Sequence, residues 1–285
     1  MSRTISLVAP AKVNLILRVL RKRQDGYHEI SSLMQPISLH DDIIIDVADG
    51  SGITLSCSNP SVPADGANLA YKAAELFLCA TGLCLSVNLD IKKEIPAGAG
   101  LGGGSSDAAT VLAGLNSLLN AGLGIEELMR LGACIGSDVP FFLLGRPAIA
   151  TGRGEMLEGV ALPRFWYVLV NPGFEISTAW AYNNLDLTKV RQDYILSYSC
   201  EVFENPDNLV PMMVNDLEAA VFNRYPQVQA IKDAILSAGA KAALMSGSGS
   251  TVFGLFQEKA DAETAGAALR AGLDSRYLVY VAEGL

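Results

Sequence analysis

PAGAGLGGGSSDAA, residues 96–109, governs how the rest of the chain is read. Gly98, Gly100, Gly102, Gly103 and Gly104 are interrupted only by Ala99 and Leu101, so a backbone with almost no Cβ atoms can wrap closely around a ligand. Ser105 and Ser106 follow as good N-cap residues, and an alanine- and leucine-rich helical pattern, DAATVLAGLNSLLNAGL, then runs to Gly122 or Gly124. A glycine-rich turn feeding a helix N-terminus presents unpaired N–H groups and the positive end of the helix dipole. Such a cradle suits a phosphate chain.

Gly98, Gly100 and Gly103 also satisfy the dinucleotide pattern G-x-G-x-x-G. That fingerprint needs an acidic residue closing a second strand about 20 residues on, where this chain has the end of one helix and the start of another, LGIEEL. The P-loop needs Gly-Lys-Ser/Thr, and no lysine follows these glycines; a protein kinase needs HRD and DFG, and neither is present. A tight strand-to-helix turn without a ligand would need neither this many glycines nor the paired hydroxyls.

Composition sets the surroundings. A chain of 285 residues, half of them hydrophobic, can bury a sizeable core in one large or two ordinary domains. It has no apolar run of membrane-spanning length, and the start, MSRTISLVAPAKVNL, reads as a first strand and not as a signal peptide. A soluble, cytoplasmic protein is expected. Cys57, Cys79, Cys84, Cys134 and Cys200 are irregularly spaced in apolar contexts and, with only His28 and His40 beside them, make no zinc pattern; they read as reduced, mostly buried thiols. A net charge of −9 disfavours nucleic acid, so any anionic ligand must be held by local features against the overall field. The expected partners are small molecules, with no nucleic acid and no membrane.

Periodicity divides the chain near residue 160, into a domain of residues 1–160 and one of 161–285. In the first, β-rich stretches lie at 3–9, 12–20, 28–38, 43–47, 53–57 and 85–92, and NLAYKAAELFLCATG reads as a helix with Asn68 as N-cap and Gly82 just past its end. The loop and its helix come next, followed by the helix IEELMRLGACIG, a short loop with an apolar strand in SDVPFFLLG, and a hairpin in AIATGRGEMLEGV. In the second, FWYVLVNPG is a buried strand, STAWAYNNL a helix and 191–208 a polar, irregular stretch. Two helices separated at Pro226 follow, then strand, turn and strand in KAALMSGSGSTVFGLF, a helix over 258–272 and a last strand, YLVYVA. Helices and antiparallel strands segregate more than they alternate, which predicts an α+β fold.

Three further places carry chemistry. Lys12 and Asn14 of PAKVNL share one strand face, and Val13 and Leu15 take the other. They could point a cation and an amide into a cleft, and spacing alone equally permits a lysine on a solvated face. Asp138 sits between a Gly-Ser turn and Pro140-Phe141-Phe142, where it could be a partly desolvated base or an ordinary turn or N-cap residue. Asp25-Gly26 marks a hairpin turn, and the following Tyr27 and His28 offer a stacking plate and a donor–acceptor ring suited to a nucleobase; an ordinary hairpin with a half-buried tyrosine would read the same. Arg21, Lys22 and Arg23 read as a solvated charge run, and Asp41 and Asp42, adjacent in a strand, face opposite ways and make no carboxylate pair.

PAGAGLGGGSSDAA, APAKVNLIL, DGYHEISSLMQ with HDDI behind it, IGSDVPFFL, NDLE at 215–218 and SGSGSTVFGLF together resemble the GHMP kinase superfamily, named for its galacto-, homoserine, mevalonate and phosphomevalonate kinases. The resemblance spans about the whole chain. Within the superfamily it points to members that use ATP to phosphorylate the 2-hydroxyl of a cytidine-diphosphate-linked methylerythritol in the non-mevalonate route to isoprenoids. It implies an N-terminal domain like the second domain of ribosomal protein S5 and a C-terminal ferredoxin-like domain. Asp138 then matches the catalytic aspartate, and Lys12 the lysine that keeps it ionised and offsets charge on the attacking oxygen. Pro96, Ala97, Gly98, Ala99, Gly100, Leu101, Gly102, Gly103, Gly104, Ser105 and Ser106 match the ATP triphosphate loop, with Mg²⁺ bridging the phosphates and its protein ligands left open. Tyr27 and His28 match the cytosine site, and Asn14 the methylerythritol end. Thr178 and Tyr182 resemble the far wall of that pocket, where the family often has phenylalanine against the base. SGSGS at 246–250 resembles the motif that backs the phosphate loop.

Overall fold

The computed structural model describes residues 3–188 and 203–285, which form two compact units. The first comprises Met1–Ala11, His40–Ala97 and Gly102–Gly145, and the second Lys12–Leu39, Gly98–Leu101 and Arg146–Leu285. Two long strands, β1 (Arg3–Lys22) and β2 (His28–Asp49), contribute to both.

In the first unit, β3 (Gly52–Cys57) pairs parallel with β4 (Leu85–Lys92), and β4 pairs antiparallel with the far half of β2, Ile43 opposite Ile91. Strict alternation in β4 sends Val87, Leu89 and Ile91 inward and leaves Asn88 and Asp90 outside, where they bond Thr54 and Ser56 of β3. On the inner face lie α1 (Leu69–Thr81), α2 (Gly103–Leu119), α3 (Ile125–Ile135) and α4 (Val139–Leu144). The contact surfaces of α1 and α2 are alanine-rich, with Ala70, Ala73, Ala74, Ala108 and Ala109 buried. A Cβ on Gly114 would come within 2.6 Å of Ile45 and Leu7, so α2 lies against the sheet closer than any side chain would allow. Asn68 caps α1 through Ala70 N–H and Gly82 ends it at φ 67°, as its sequence predicts.

In the second unit, β5 (Ala148–Gly152) and β6 (Met156–Gly159) form the expected hairpin, with β5 on the near half of β2. The antiparallel sheet β11-β7-β10-β9 is built from β7 (Trp166–Asn171), β9 (Ala242–Met245), β10 (Val252–Phe256) and β11 (Leu278–Glu283). Between β7 and β9 come α5 (Thr178–Asn183), α6 (Pro206–Leu209), β8 (Val214–Asn215), α7 (Glu218–Arg224) and α8 (Pro226–Ser237), and α9 (Lys259–Gly272) precedes β11. Val228, Ile231 and Ile235 of α8 and Ala262, Ala265 and Leu269 of α9 cover Val168, Val170, Val252 and Phe256 in one cluster. β8 adds to β1 in parallel, Leu17 opposite Asn215.

The α+β class stands, and four local expectations need correction. The strands expected to break at residues 10–11 and 39–42 run through: Pro10 costs its strand only one ladder donor, and residues 39–42 carry no residue that stops a strand. Past Pro10, Lys12 N–H goes to Leu101 O of the glycine-rich loop. VPFFLL is helix, not strand: a short apolar run has no decisive period, Pro140 suits a first helical turn, and Gly145 stops it at φ 68°. The α2 helix starts at Gly103, with left-handed Gly102 at the cap position, so Ser105 and Ser106 lie inside the first turn; Asn120, at φ 52°, ends the helix before Gly122. Cys79, Cys84 and Cys134 are exposed free thiols and Cys57 is half-buried. An apolar neighbourhood in sequence mixes both faces of a helix, and Cys79 sits off the α1 face that buries Ala70, Ala74 and Phe77. Cys200 and most of the 191–208 stretch lie outside the described residues.

Candidate active site

The glycine-rich loop is shaped by alternation. Gly98, Gly100 and Gly102 take φ of 58°, 78° and 74°, in the left-handed region that other residues avoid, while Ala99 and Leu101 between them are buried. Its central part is seated in the second unit on SGSGS, the turn between β9 and β10. Ser246 Oγ donates to Gly100 O at 2.9 Å, and Thr251 N–H reaches Ala99 O at 3.3 Å. A Cβ on Gly100 would lie 2.0 Å from Ser246 O, so the two backbones touch where no side chain fits. The turn is held from behind by NDLE: Asn215 Nδ2 donates to Met245 O at 2.7 Å and Gly247 O at 2.8 Å, and Glu218 accepts from Met245 N–H and Lys232.

Lys12 and Asn14 are each 4% exposed, which removes the solvated-face alternative. Lys12 Nζ donates to Asn14 Oδ1 at 2.5 Å, Asn14 Nδ2 to Ser32 Oγ at 2.9 Å, and Ser32 Oγ to Ile16 O at 2.7 Å, a relay that fixes the ammonium. A Cβ on Gly247 would sit 3.4 Å from Lys12 Nζ, placing that ammonium beside the SGSGS turn.

At the β1–β2 hairpin, Asp25 Oδ1 accepts Tyr27 N–H and Gly26 takes φ 87°. His28 is buried and its ring stacks on Tyr182 with centroids 5.2 Å apart, two residues that the resemblance places in one pocket and that lie 154 positions apart along the chain. Burial, and then the charge of Lys22, lower the His28 pKa, so the imidazole is neutral at pH 7 and offers one donor and one acceptor. Tyr27 is 56% exposed with the Arg153 guanidinium 5.1 Å from its ring centroid, and so is not the half-buried tyrosine of an ordinary hairpin. Thr178 Oγ1 lies 3.0 Å from Ser248 Oγ, which ties α5 to the same SGSGS turn.

In the first unit, no side chain caps α2, so the positive end of the helix stays open at Gly103, Gly104 and Ser105. A Cβ on Gly136 would meet Ser105 Oγ at 3.7 Å, so the Gly-Ser turn before Asp138 packs against the start of α2. Asp138 stands at the N-cap position of α4 and is half-buried, and its carboxylate makes no capping hydrogen bond. Ser106 Oγ is buried without a hydrogen-bond partner among the described residues. No cluster of three or more histidine, cysteine or acidic side chains able to hold a metal occurs among the described residues.

Sequence reasoning missed a buried cluster, Asp41, Lys93 and Asp107, whose members sit 52 and 14 residues apart along the chain. The available signal was Asp107 inside the loop motif and Lys93 just ahead of it. It also missed Arg153, and it saw NDLE only as a motif.

Residues 68–146 match the profile of the GHMP kinases N terminal domain, and residues 201–275 that of the GHMP kinases C terminal domain. Among curated relatives, the 4-diphosphocytidyl-2-C-methyl-D-erythritol kinase of Syntrophotalea carbinolica is 48% identical over 265 residues, covering 92% of both chains. That of Pelobacter propionicus is 44% identical over 284 residues, 99% of this chain and 100% of the relative. This chain belongs to the GHMP kinase family. A crystal structure of 4-(cytidine 5′-diphospho)-2C-methyl-D-erythritol kinase superposes with a TM-score of 0.83 at 38% identity, covering 99% of this chain and 100% of the other. The fold extends further, to an L. major mevalonate kinase at a TM-score of 0.74 and 16% identity, with 99% of this chain and 96% of that chain covered. No helix among the described residues is long and apolar enough to cross a membrane.

Proposed function

We propose that this chain transfers the γ-phosphoryl group of ATP to the 2-hydroxyl of 4-(cytidine 5′-diphospho)-2-C-methyl-D-erythritol, a step of isoprenoid biosynthesis by the non-mevalonate route. The observation that carries the substrate half is the His28–Tyr182 ring pair beside exposed Tyr27, a stacking and edge-bonding set that a kinase for mevalonate or homoserine would not need. The full-length relatives support the same reading.

In this reading Asp138 takes the proton of the attacking hydroxyl, and Lys12 offsets the charge that grows on that oxygen. Pro96 to Ser106 hold the triphosphate through backbone N–H groups. Tyr27, His28 and Tyr182 hold the cytosine, with Thr178 at the same wall and Asn14 toward the methylerythritol. A loop serine such as Ser106, whose hydroxyl has no hydrogen-bond partner among the described residues, would help hold the Mg²⁺ that accompanies ATP, and the ion would supply neutralisation of phosphate charge. The working boundary between N- and C-terminal kinase domains falls near residue 160, and the working compartment is the cytoplasm. Coupled ADP release across cytidine-linked and free polyols, mevalonate and homoserine tests the proposal. Turnover is expected with the cytidine-diphosphate polyol alone, and equal turnover of mevalonate or homoserine would refute it.

A further inference from the structure

Three buried charged side chains of the first unit join the two ends of the glycine-rich loop. Lys93 directly follows β4 and, with a side chain only 5% exposed, donates to Asp41 Oδ2 at 2.5 Å and to Asp107 Oδ2 at 2.7 Å. Asp41, on β2, uses its other oxygen to accept the N–H groups of Glu94 at 2.7 Å and Ile95 at 2.9 Å, the residues that enter the loop. Asp107 lies on α2 just past the loop's exit, and its Oδ1 is buried without a hydrogen-bond partner among the described residues. A Cβ on Gly103 would stand 3.0 Å from Ile95 and 3.2 Å from Lys93 Nζ, so entry segment and ammonium lie directly against the first residue of α2.

Stability alone is a poor reason for this arrangement. Two carboxylates and one ammonium lose most of their hydration, and apolar side chains of similar volume would serve a core as well or better. The cluster supplies direction instead, since each link has a fixed length and a fixed partner. A loop whose ends are held needs less ordering when it closes on a ligand, and that saving appears as affinity.

We propose that Asp41, Lys93 and Asp107 are positioning residues that staple the entry of the glycine-rich loop to its exit and so hold it in the shape that receives the ATP phosphates. The proposal rests on the reading of that loop as the ATP site. The three side chains act through the backbone they tether. Their loss therefore falls on ATP affinity and leaves the polyol alone.

The test uses full-length Lys93→Met and Asp107→Asn proteins. It measures KM for ATP, KM for the cytidine-diphosphate polyol, kcat, thermal stability, and the Kd of a non-hydrolysable ATP analogue by calorimetry. Lys93→Met is expected to raise both KM for ATP and the analogue Kd roughly tenfold, with polyol KM and kcat within about twofold of wild type. Asp107→Asn, which keeps an acceptor for Lys93, is expected to raise the same two quantities about threefold. A folded Lys93→Met protein with unchanged ATP KM and analogue Kd overturns the staple, and so does one that loses kcat alone. Should Lys93→Met not fold, Asp107→Asn decides by the same criteria. Failure of the wild type to turn over the cytidine substrate would instead sink the substrate assignment, while the analogue Kd values would still judge the staple.

Discussion

Asp138, His28 and Asp107 are three ionisable side chains with three different demands on their protons. As the proposed base Asp138 accepts one during reaction, so Asp138→Asn is expected to lower kcat by about 10²–10⁴-fold with polyol KM changed only a few-fold; near wild-type kcat would remove it as the base. In the proposed cytosine site His28 stays neutral to present one donor and one acceptor, and burial with Lys22 nearby lowers its pKa. Polyol KM should thus be flat on the alkaline side of the ordinary histidine range and change only on the acid side, as the ring gains a proton. His28→Ala should raise that KM and remove its pH dependence, and an unchanged KM would move the base site elsewhere. Asp107 is raised from 3.8 to about 7, by burial first and by Asp41, against the pull of Lys93. Between those values the folded protein keeps a proton that the unfolded chain has released, so this group's contribution to stability falls as pH rises through that window and levels off above it. Denaturation at pH 5, 6, 7 and 8 should show wild type losing stability relative to Asp107→Asn across the window; a constant difference between the two would contradict the shift. The Asp41–Lys93–Asp107 cluster was beyond sequence reasoning because its partners come from β2, the end of β4 and α2, and ion pairing leaves no local period.

Elements with a strong period were legible, and those that a single special residue overrides were not. The β4 strand could be read over its full 85–92 span because strict alternation allows no other register. The α1 helix carries its own start and stop in Asn68 and Gly82. By contrast, the Ser105-Ser106 pair looked like a cap, yet left-handed Gly102 takes that position and frees both hydroxyls for other work. The loop and its SGSGS support make a sharper contrast between two glycines. Gly100→Ala faces a backbone oxygen 2.0 Å from the added carbon and a φ of 78°, and is expected to cost about 1–3 kcal/mol and to abolish ATP turnover. Gly104 is helical, with Leu69 no nearer than 3.6 Å to an added carbon, so Gly104→Ala should stabilise the fold by up to about 1 kcal/mol. If that exposed helix start faces phosphate, the same variant should bind ATP more weakly. Melting curves beside ATP titrations check both, and tight ATP binding by Gly100→Ala would mean the loop's contact with SGSGS is dispensable.

At the scale of the molecule, a chain of net charge −9 binds two polyanions, and the positive charge it can offer them is local. The side chains proposed to face substrate were readable as motifs, but their grouping came through the family resemblance and not through spacing, since Lys12, Tyr27-His28 and Tyr182 are brought into one unit by the return of the chain after residue 146. The composition of the two units has a further consequence, for synthesis. All segments of the first unit have been made once Gly145 is polymerised, so it can begin to fold while the ribosome is still translating. Residues 12–39 and 98–101 meanwhile wait for partners encoded much later. Until the codons for residues 246–250 have been read, the nascent chain lacks the turn that seats its glycine-rich loop, and with that loop as the proposed ATP site the growing polypeptide stays inactive toward ATP until its final stage of manufacture.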